Sequence, residues 1–279
     1  MDNETLRKVQ LTLLDIAKEL KRVCEVLGIN YFLDSGTLLG AVRHQGLIPW
    51  DDDLDVGMLR KDYNLFLEKA PNILDNKYFL QSWYSDKDYG LAFAKIRMKD
   101  TKYIEEASQY SKAENGFYID IFPYDTFPDA KHDQKWQGKQ YAFLRRCILV
   151  KCGYTPWVMN ALGAKKILKK MGYLPIQFYA SLYDRNTLIK RYEEACTRFN
   201  GQNTGFLYEQ AGSSNYGKWV VSENCLKEFL ELKFEDDMFS CPKDYDSYLR
   251  SVYGDYMILP PEDKRINRHH ILEIRFAQE

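Results

Sequence analysis

The sequence predicts an α/β (α+β) fold, in which flanking helices cover a small mixed sheet and a helical insertion follows it. Three observations support this class: an amphipathic helix opens the chain, short strand-like apolar runs follow, and lysine-rich helical patterns begin after residue 130. A chain of 279 residues can bury a large core as one domain, with or without an insertion.

The first element is a long amphipathic helix that ends at Gly28. Its apolar residues recur in alternating steps of three and four: Leu6, Val9, Leu13, Ile16, Leu20, Val23 and Leu27. This spacing places them on one face, and glycine favours the left-handed conformation at a helix end. We expect this face to pack across the sheet, with dimerisation through it as the alternative.

The remaining predicted elements divide the chain into four parts. Strands are expected at 31–34, 53–58, 78–83, 91–98 and 117–122, a helix at about 60–70, and a short helix before Gly254. Pro123 is expected to end the fifth strand. The parts are the N-terminal helix (1–28), the core (29–130), the basic helical insertion (131–200) and the C-terminal part (201–279).

Four carboxylates crowd residues 51–55, where the second strand begins. Because side chains alternate along a strand, Asp53 and Asp55 lie on one face while the apolar residues between and after them enter the core. Neighbouring carboxylates raise each other's pKa unless a cation separates them. Such an oxygen-only pair suits Mg²⁺, which takes one or two carboxylates and completes its shell with water and phosphates. An acidic loop leading into a strand is the alternative.

Ser35, Gly36 and Thr37 lie at a turn between the first strand and a short helix. Glycine lets the backbone approach a ligand closely, and the hydroxyls and free amides at the helix start form a small anion site. A plain helix cap with a turn glycine is the alternative.

Asp120 is a third acid, embedded in the apolar strand at 117–122. A buried and unpaired carboxylate is costly, so it needs a partner. Metal ligation beside Asp53 and Asp55, or a role as a base, would supply one; a hydrogen bond to a backbone amide is the alternative.

Together these motifs resemble the nucleotidyltransferase superfamily, whose fold is shared with DNA polymerase β. They are more similar to the LicD family of phosphotransferases, which also contains the fukutin-type proteins. The matching segments are residues 35–43, 46–55, 94–97, 120–123, 253–256 and 259–262. The match is most specific over residues 31–123, and the middle of the chain shows none.

The resemblance implies a phosphotransferase, because LicD-like proteins move phosphocholine from CDP-choline to a sugar hydroxyl of a bacterial surface glycan. The expected partners are a cytidine-nucleotide donor and a polysaccharide, teichoic acid or lipopolysaccharide precursor, with a lipid-linked acceptor as one option. Phosphocholine is the first expectation; phosphoethanolamine, aminoethylphosphonate, phosphoglycerol and phosphoribitol are alternatives. The motifs also fit a nucleotidyltransferase of the wider superfamily, or a non-catalytic nucleotide-binding scaffold.

The site predicted on this basis contains Mg²⁺, with Mn²⁺ as a substitute, on Asp53, Asp55 and Asp120. Asp120 or Asp51 would take the proton of the acceptor hydroxyl. The donor would be bound by Ser35, Gly36, Thr37, Arg43, Lys95, Arg97 and Arg265.

Lys95 and Arg97 lie two apart on a strand and share a face, which suits a diphosphate. Arg265, His269 and His270 could reach phosphate or the acceptor. Surface polar residues are the favoured interpretation, and Arg265 is the strongest candidate of the three because it follows a Pro-Pro-Glu segment typical of the family.

A choline headgroup would sit among aromatic faces, since it cannot donate a hydrogen bond. The candidates that flank the site in sequence are Trp83, Tyr84, Tyr89, Tyr118 and Tyr124.

Composition predicts a cytoplasmic enzyme, with the inner face of the membrane as an option. The net charge of −1 argues against nucleic-acid binding, which needs a basic face. No apolar run is long enough to cross a bilayer, and the N-terminus does not open a signal peptide. Six scattered cysteines indicate reduced, packed thiols and no zinc spacing.

The segment 131–200 interleaves basic and apolar residues, and such a segment can rest on an anionic membrane. A solvated helical insertion is the favoured interpretation and peripheral membrane contact the alternative. The residues concerned are Lys135, Lys139, Arg145, Arg146, Lys151, Lys165, Lys166, Lys169 and Lys170, with Trp136, Tyr141, Phe143, Leu149, Trp157, Leu162, Ile167 and Leu168 between them. The sequence leaves the oligomeric state open.

Overall fold

The computed structural model describes residues 1–106, 109–154, 171–209, 216–217, 219–267 and 269–277. Its α-helices are α1 (Asn3–Leu27), α2 (Ser35–His44), α3 (Arg60–Lys69), α4 (Lys131–Lys151), α5 (Leu174–Ser181), α6 (Arg185–Thr197) and α7 (Tyr245–Tyr253). Its strands are β1 (Phe32–Leu33), β2 (Asp55–Leu59), β3 (Tyr78–Gln81), β4 (Ala94–Met98), β5 (Lys102–Glu105), β6 (Tyr118–Thr126), β7 (Phe206–Glu209), β8 (Val220–Ser222), β9 (Phe229–Phe234), β10 (Asp237–Pro242) and β11 (Ile271–Arg275).

Helix α1 confirms the amphipathic pattern at the start of the chain. The Asp2 carboxylate accepts a hydrogen bond from the Thr5 N–H at 2.7 Å and caps the first turn. Gly28 follows the last turn in the left-handed conformation, with φ 63°, and its N–H bonds to carbonyls of that turn. The apolar face of α1, including Val9 and Leu20, is buried in a core that it shares with the sheet.

Seven strands form one curled mixed sheet, which confirms the α/β class with flanking helices. The spatial order is β1-β2-β6-β4-β3, and β7 and β8 extend the sheet beyond the end of β4. β2 and β6 run parallel, and the remaining pairs are antiparallel. The five predicted strands are present, although their ends differ by a few residues; the strand expected at 53–58 begins at Asp55.

The prediction that Pro123 ends its strand was wrong. β6 continues to Thr126. β4 pairs with β6 up to Ile121, and β7 pairs with it from Tyr124. Pro123 lies between the segments of β6 that pair with β4 and with β7. On that side of β6 no partner strand needs a hydrogen bond from residue 123, so the missing N–H of proline is tolerated.

Helices cover both faces of the sheet and create two cores. Ile121 belongs to the core under α1, and its neighbour Phe122 belongs to a second core under α4 and α6. Adjacent residues divide in this way because strand side chains alternate between faces. The acids described below lie on the face that carries Phe122.

The region predicted as a helical insertion contains α4, α5 and α6. Its separation from a catalytic core stays a prediction. Some of its basic and apolar residues lie outside the described residues: Trp157, Leu162, Lys165, Lys166, Ile167, Leu168, Lys169 and Lys170. In the described part of the chain, no helix has the length and apolar character needed to cross a bilayer. All six cysteines are buried free thiols.

Candidate active site

The turn between β1 and α2 is built around a buried aspartate. Asp34 caps α2 by accepting a hydrogen bond from the Ser35 N–H at 2.6 Å. It also accepts the hydroxyl of Tyr124, at 2.9 Å, and that of Tyr248. Burial raises the pKa of Asp34, and these donors oppose the rise. Asp34 therefore ties the start of α2 to β6 and α7.

The two hydroxyls of this turn have partners within the protein. Thr37 is buried, and its Oγ1 accepts the Asp55 N–H at 2.8 Å, which joins α2 to the first residue of β2. Ser35 Oγ donates to Asp34 at 3.3 Å. A role for these hydroxyls in holding phosphate stays a prediction.

Asp51 and Asp53 lie together beside the first turn of α2. A Cβ on Gly36 would approach Asp51 Oδ2 to 3.1 Å, so the glycine leaves room for this carboxylate. The two carboxylates are close enough for each to affect the pKa of the other. Burial, followed by the charge of Asp53, raises the pKa of Asp51 to about 8. A carboxyl group with such a pKa can exchange a proton near neutral pH.

Three charged side chains form one row across β2, β6 and β4. The register pairs Asp55 with Asp120, and Asp120 with Lys95. Lys95 Nζ lies 2.6 Å from Asp120 Oδ1, and both side chains are largely buried. Burial raises the pKa of Asp55 well above its usual value, and the charges of Asp53 and Asp120 add to the rise. The row thus crowds acids together in a site with little solvent.

Among these acids, Asp53 and Asp55 are the better ligands for a divalent cation. Burial raises the pKa of both, and a bound cation would offset their charge. Asp120 is already ion-paired with Lys95. Within the described residues, no group of three His, Cys, Asp or Glu side chains is arranged to hold a metal ion. The three-carboxylate metal site therefore stays a prediction.

Lys95 and Arg97 share one face of β4, as predicted. Lys95 Nζ and Arg97 Cζ lie 3.2 Å and 4.8 Å from the centre of the Tyr118 ring. Arg97 is buried and donates to the Gln81 side chain and, at 2.6 Å, to the Gly116 carbonyl. Lys95 therefore contacts the acids, whereas Arg97 supports the sheet in this structure.

Asp52 pairs with His269, which lies 217 residues away along the chain, and no pattern in the sequence predicted this pair. His269 Nδ1 is 2.8 Å from Asp52 Oδ1, and its Nε2 is 3.9 Å from Asp53 Oδ2. The Tyr103 hydroxyl donates to the second Asp52 oxygen at 2.6 Å. The bond to Asp52 raises the pKa of His269 to about 9, so the imidazole is cationic at neutral pH.

His269 therefore contacts the acids of the site, which the favoured interpretation as a surface polar residue did not predict. The available signal was Asp52 itself, because an acid buried among other acids needs a cationic partner.

Arg43 and Arg265 form a second basic area beside Trp50. Arg43 donates to the Tyr256 carbonyl at 2.8 Å, and Arg265 donates to the Pro260 carbonyl at 2.8 Å. The Arg265 guanidinium carbon lies 5.8 Å from the Trp50 ring centre. Burial lowers the pKa of Arg43, and the charge of Arg265 lowers it further.

A partly open aromatic cavity lies between α3, α6 and the chain before β4. The residues that matter for its chemistry are Tyr63, Trp83, Tyr84, Phe93, Tyr192 and Glu193. The Tyr84 hydroxyl bonds to Glu193 at 2.6 Å, and the buried Trp83 N–H finds no hydrogen-bond partner in the described part of the chain. The Phe93 ring centre is 5.2 Å from Lys95 Nζ, which links the cavity to the charged row.

The structure does not gather the five predicted headgroup aromatics into one cage. Trp83 and Tyr84 line the aromatic cavity. Tyr118 lies against Lys95, Tyr124 bonds to the buried cap of α2, and Tyr89 is buried in the second core.

The sequence is similar to a family model and to known proteins. Residues 28–151 match the family model described as LicD/FKTN/FKRP, nucleotidyltransferase domain. The lipopolysaccharide cholinephosphotransferase LicD of Haemophilus influenzae is 29% identical over 286 residues, which cover 98% of this chain and 98% of the relative. The human ribitol 5-phosphate transferase FKRP is 28% identical over 132 residues, which cover 43% of this chain and 23% of FKRP. The resemblance predicted from the sequence motifs is confirmed: residues 28–151 match the LicD/FKTN/FKRP family model.

Proposed function

We propose that this protein is a metal-dependent phosphotransferase that moves a phospho-alcohol from a cytidine-nucleotide donor to a sugar hydroxyl of a cell-surface glycan or lipopolysaccharide precursor. The observation that carries the proposal is the buried row of Asp55, Asp120 and Lys95, with Asp51 and Asp53 beside it. The full-length similarity to LicD supports the reaction class. A core like that of DNA polymerase β is part of the proposal.

Asp53 and Asp55 would hold Mg²⁺, or Mn²⁺ in its place, and Asp120 would join them on release from Lys95. When bound, the cation would neutralise charge on the diphosphate of the donor and on the leaving nucleotide. Lys95 would then bind an oxygen of the donor, because its ammonium already lies beside Asp120 and so beside the proposed metal site. Cationic His269 would keep Asp52 and Asp53 in place.

Asp51 is the better of the two candidate bases for the acceptor hydroxyl. Burial and the charge of Asp53 raise the pKa of Asp51 in the absence of a cation; a cation bound to Asp53 would lower it again and favour the ionised form that acts as a base. Asp120 carries an ion pair with Lys95 and is less free to accept a proton.

The basic area of Arg43 and Arg265 would bind the anionic part of the donor, and Trp50 offers a flat ring beside it. The amides of Gly36 and Thr37 belong to the first turn of α2, where backbone N–H groups lack partners within the helix and favour anions.

Phosphocholine is the proposed cargo, and the aromatic cavity is its proposed headgroup site. A quaternary ammonium binds to aromatic faces and to a nearby carboxylate, and Trp83, Tyr84 and Glu193 supply both. Arg60, which also lines the cavity, is neutralised by Asp125 at 2.6 Å. Phosphoribitol is the alternative favoured by the similarity to FKRP.

Thermal unfolding with Mg²⁺ and a panel of donors tests the proposal: CDP-choline, CDP-ethanolamine, CDP-glycerol, CDP-ribitol and CMP-aminoethylphosphonate. A donor at one hundred times its Kd adds about 2.7 kcal/mol. We expect a metal-dependent shift with CDP-choline that Asp53→Asn abolishes. Phosphorus NMR would then detect transfer to a glycan acceptor. A shift with ATP or UTP and none with any cytidine donor would favour a nucleotidyltransferase instead.

The headgroup assignment has a separate test. Tyr84→Ala removes an aromatic side chain that is 66% exposed, so the fold should persist. We expect a loss of roughly tenfold in kcat/KM with CDP-choline and a smaller loss with CDP-ethanolamine. Equal losses with both donors would place the choline group elsewhere.

A further inference from the structure

Helix α5 and the residues next to it expose a stripe of four large apolar side chains. Met171, Leu174, Phe178 and Leu182 are 54% to 68% exposed. Their steps of three, four and four residues place them along one side of the helix. α5 itself contains no charged residue. Apolar side chains so exposed and so aligned mark an interaction surface.

The opposite side of α5 is fixed to the protein. Ala180 is buried in the second core, and Ile176 packs against that core. The Tyr179 ring contacts Phe143 of α4, with ring centres 4.8 Å apart, and Lys151 Nζ donates to the Ala180 carbonyl at 3.1 Å. The stripe is therefore presented on an anchored helix.

The sequence around α5 is strongly basic. Residues 131–200 contain fourteen Lys and Arg but four Asp and Glu, in a chain whose net charge is −1. Exposed cations among the described residues of the packed helices include Arg146 of α4 and Lys190 of α6. Such a combination of an uncharged apolar stripe with a cationic surrounding matches the surface of an anionic bilayer.

We propose that α5 is an interfacial helix, which docks on an anionic lipid membrane through the stripe Met171, Leu174, Phe178 and Leu182. The apolar side chains enter the headgroup region, and the cations of the helical region meet lipid phosphates. No helix in the described residues has the character of a membrane span, so this docking is peripheral.

Vesicle co-sedimentation of the full chain tests the proposal. The vesicles are phosphatidylcholine alone and phosphatidylcholine mixed with phosphatidylglycerol. The test variant is Leu174→Glu with Phe178→Glu. The matched control is Leu11→Glu with Val26→Glu, which changes two exposed aliphatic side chains of α1 by the same charge.

We expect the wild type and the control to sediment with the anionic vesicles, and salt to weaken this binding. The α5 variant should lose about tenfold or more of its affinity. Circular dichroism would check that each variant is folded. The proposal is wrong if the wild type does not bind the anionic vesicles, or if the α5 variant and the α1 control lose binding equally. It is also wrong if the wild type is a dimer in solution that the α5 variant dissociates, since a second copy then covers the stripe.

Discussion

Replacing Asp34 by alanine should destabilise the protein by about 3 kcal/mol. A lost N-cap costs about 1 kcal/mol, and each lost hydrogen bond to a carboxylate costs roughly 1.5 kcal/mol or more. Tyr124 and Tyr248 lose Asp34 as acceptor, but their hydroxyls lie 2.8 Å apart and still bond to each other, which limits the loss. Asn is the matched control, because it retains the shape and one oxygen at this position.

Urea unfolding followed by circular dichroism measures this effect. At an unchanged m-value, Asp34→Ala should lower the urea midpoint by the amount that corresponds to about 3 kcal/mol of unfolding free energy. Asp34→Asn should lower it by roughly a third of that amount. If alanine costs under about 1 kcal/mol, or if asparagine costs as much as alanine, then the capped and bonded carboxylate does not stabilise this turn.

Three further substitutions test the site. Gly36→Ala should lower activity roughly tenfold with little change in stability, because the new Cβ presses on Asp51 Oδ2. Lys95→Met should cost about 3 kcal/mol, since it leaves a buried carboxylate on β6 unpaired, and thermal unfolding measures it. His269→Gln should cost about 1 kcal/mol at pH 6, after allowance for a side chain that is 35% exposed. Because the pKa of His269 is raised from 6.5 to about 9, its contribution is present below pH 6.5 and lost as the pH rises through 9. The same imidazole lowers the pKa of Asp52 against the effect of burial. The stability contributed by ionised Asp52 is therefore fully present above its usual pKa of 3.8 and is lost as the pH falls through the lowered pKa.

Each of these results has a clear contrary outcome. Full activity of Gly36→Ala would mean that Asp51 tolerates displacement. A stable Lys95→Met protein would indicate that Asp120 is neutral without its partner. A stability difference for His269→Gln that persists at pH 10 would show that packing, and not charge, holds the histidine.

Local sequence patterns predicted the secondary-structure elements that depend on interactions between residues close together in the chain. α1 was predictable because its apolar spacing and its closing Gly28 act within a few residues. The burial of Leu54 and Val56 was predictable from the alternating pattern, although Asp53 precedes β2, which begins at Asp55. The continuation of β6 through Pro123 was not, because it depends on which strands lie beside it.

By itself, the sequence determined the resemblance to the LicD/FKTN/FKRP family, the amphipathic first helix and the crowding of acids at the start of β2. Only the tertiary structure decided that Lys95 neutralises Asp120, that His269 returns to Asp52 and that Asp34 holds two tyrosines. Helix periodicity and strand alternation are set by bonds between near neighbours, so they can be read along the chain. Pairing partners depend on sheet register and on distant chain segments, such as those of Asp52 and His269, 217 residues apart, which only the folded chain brings together.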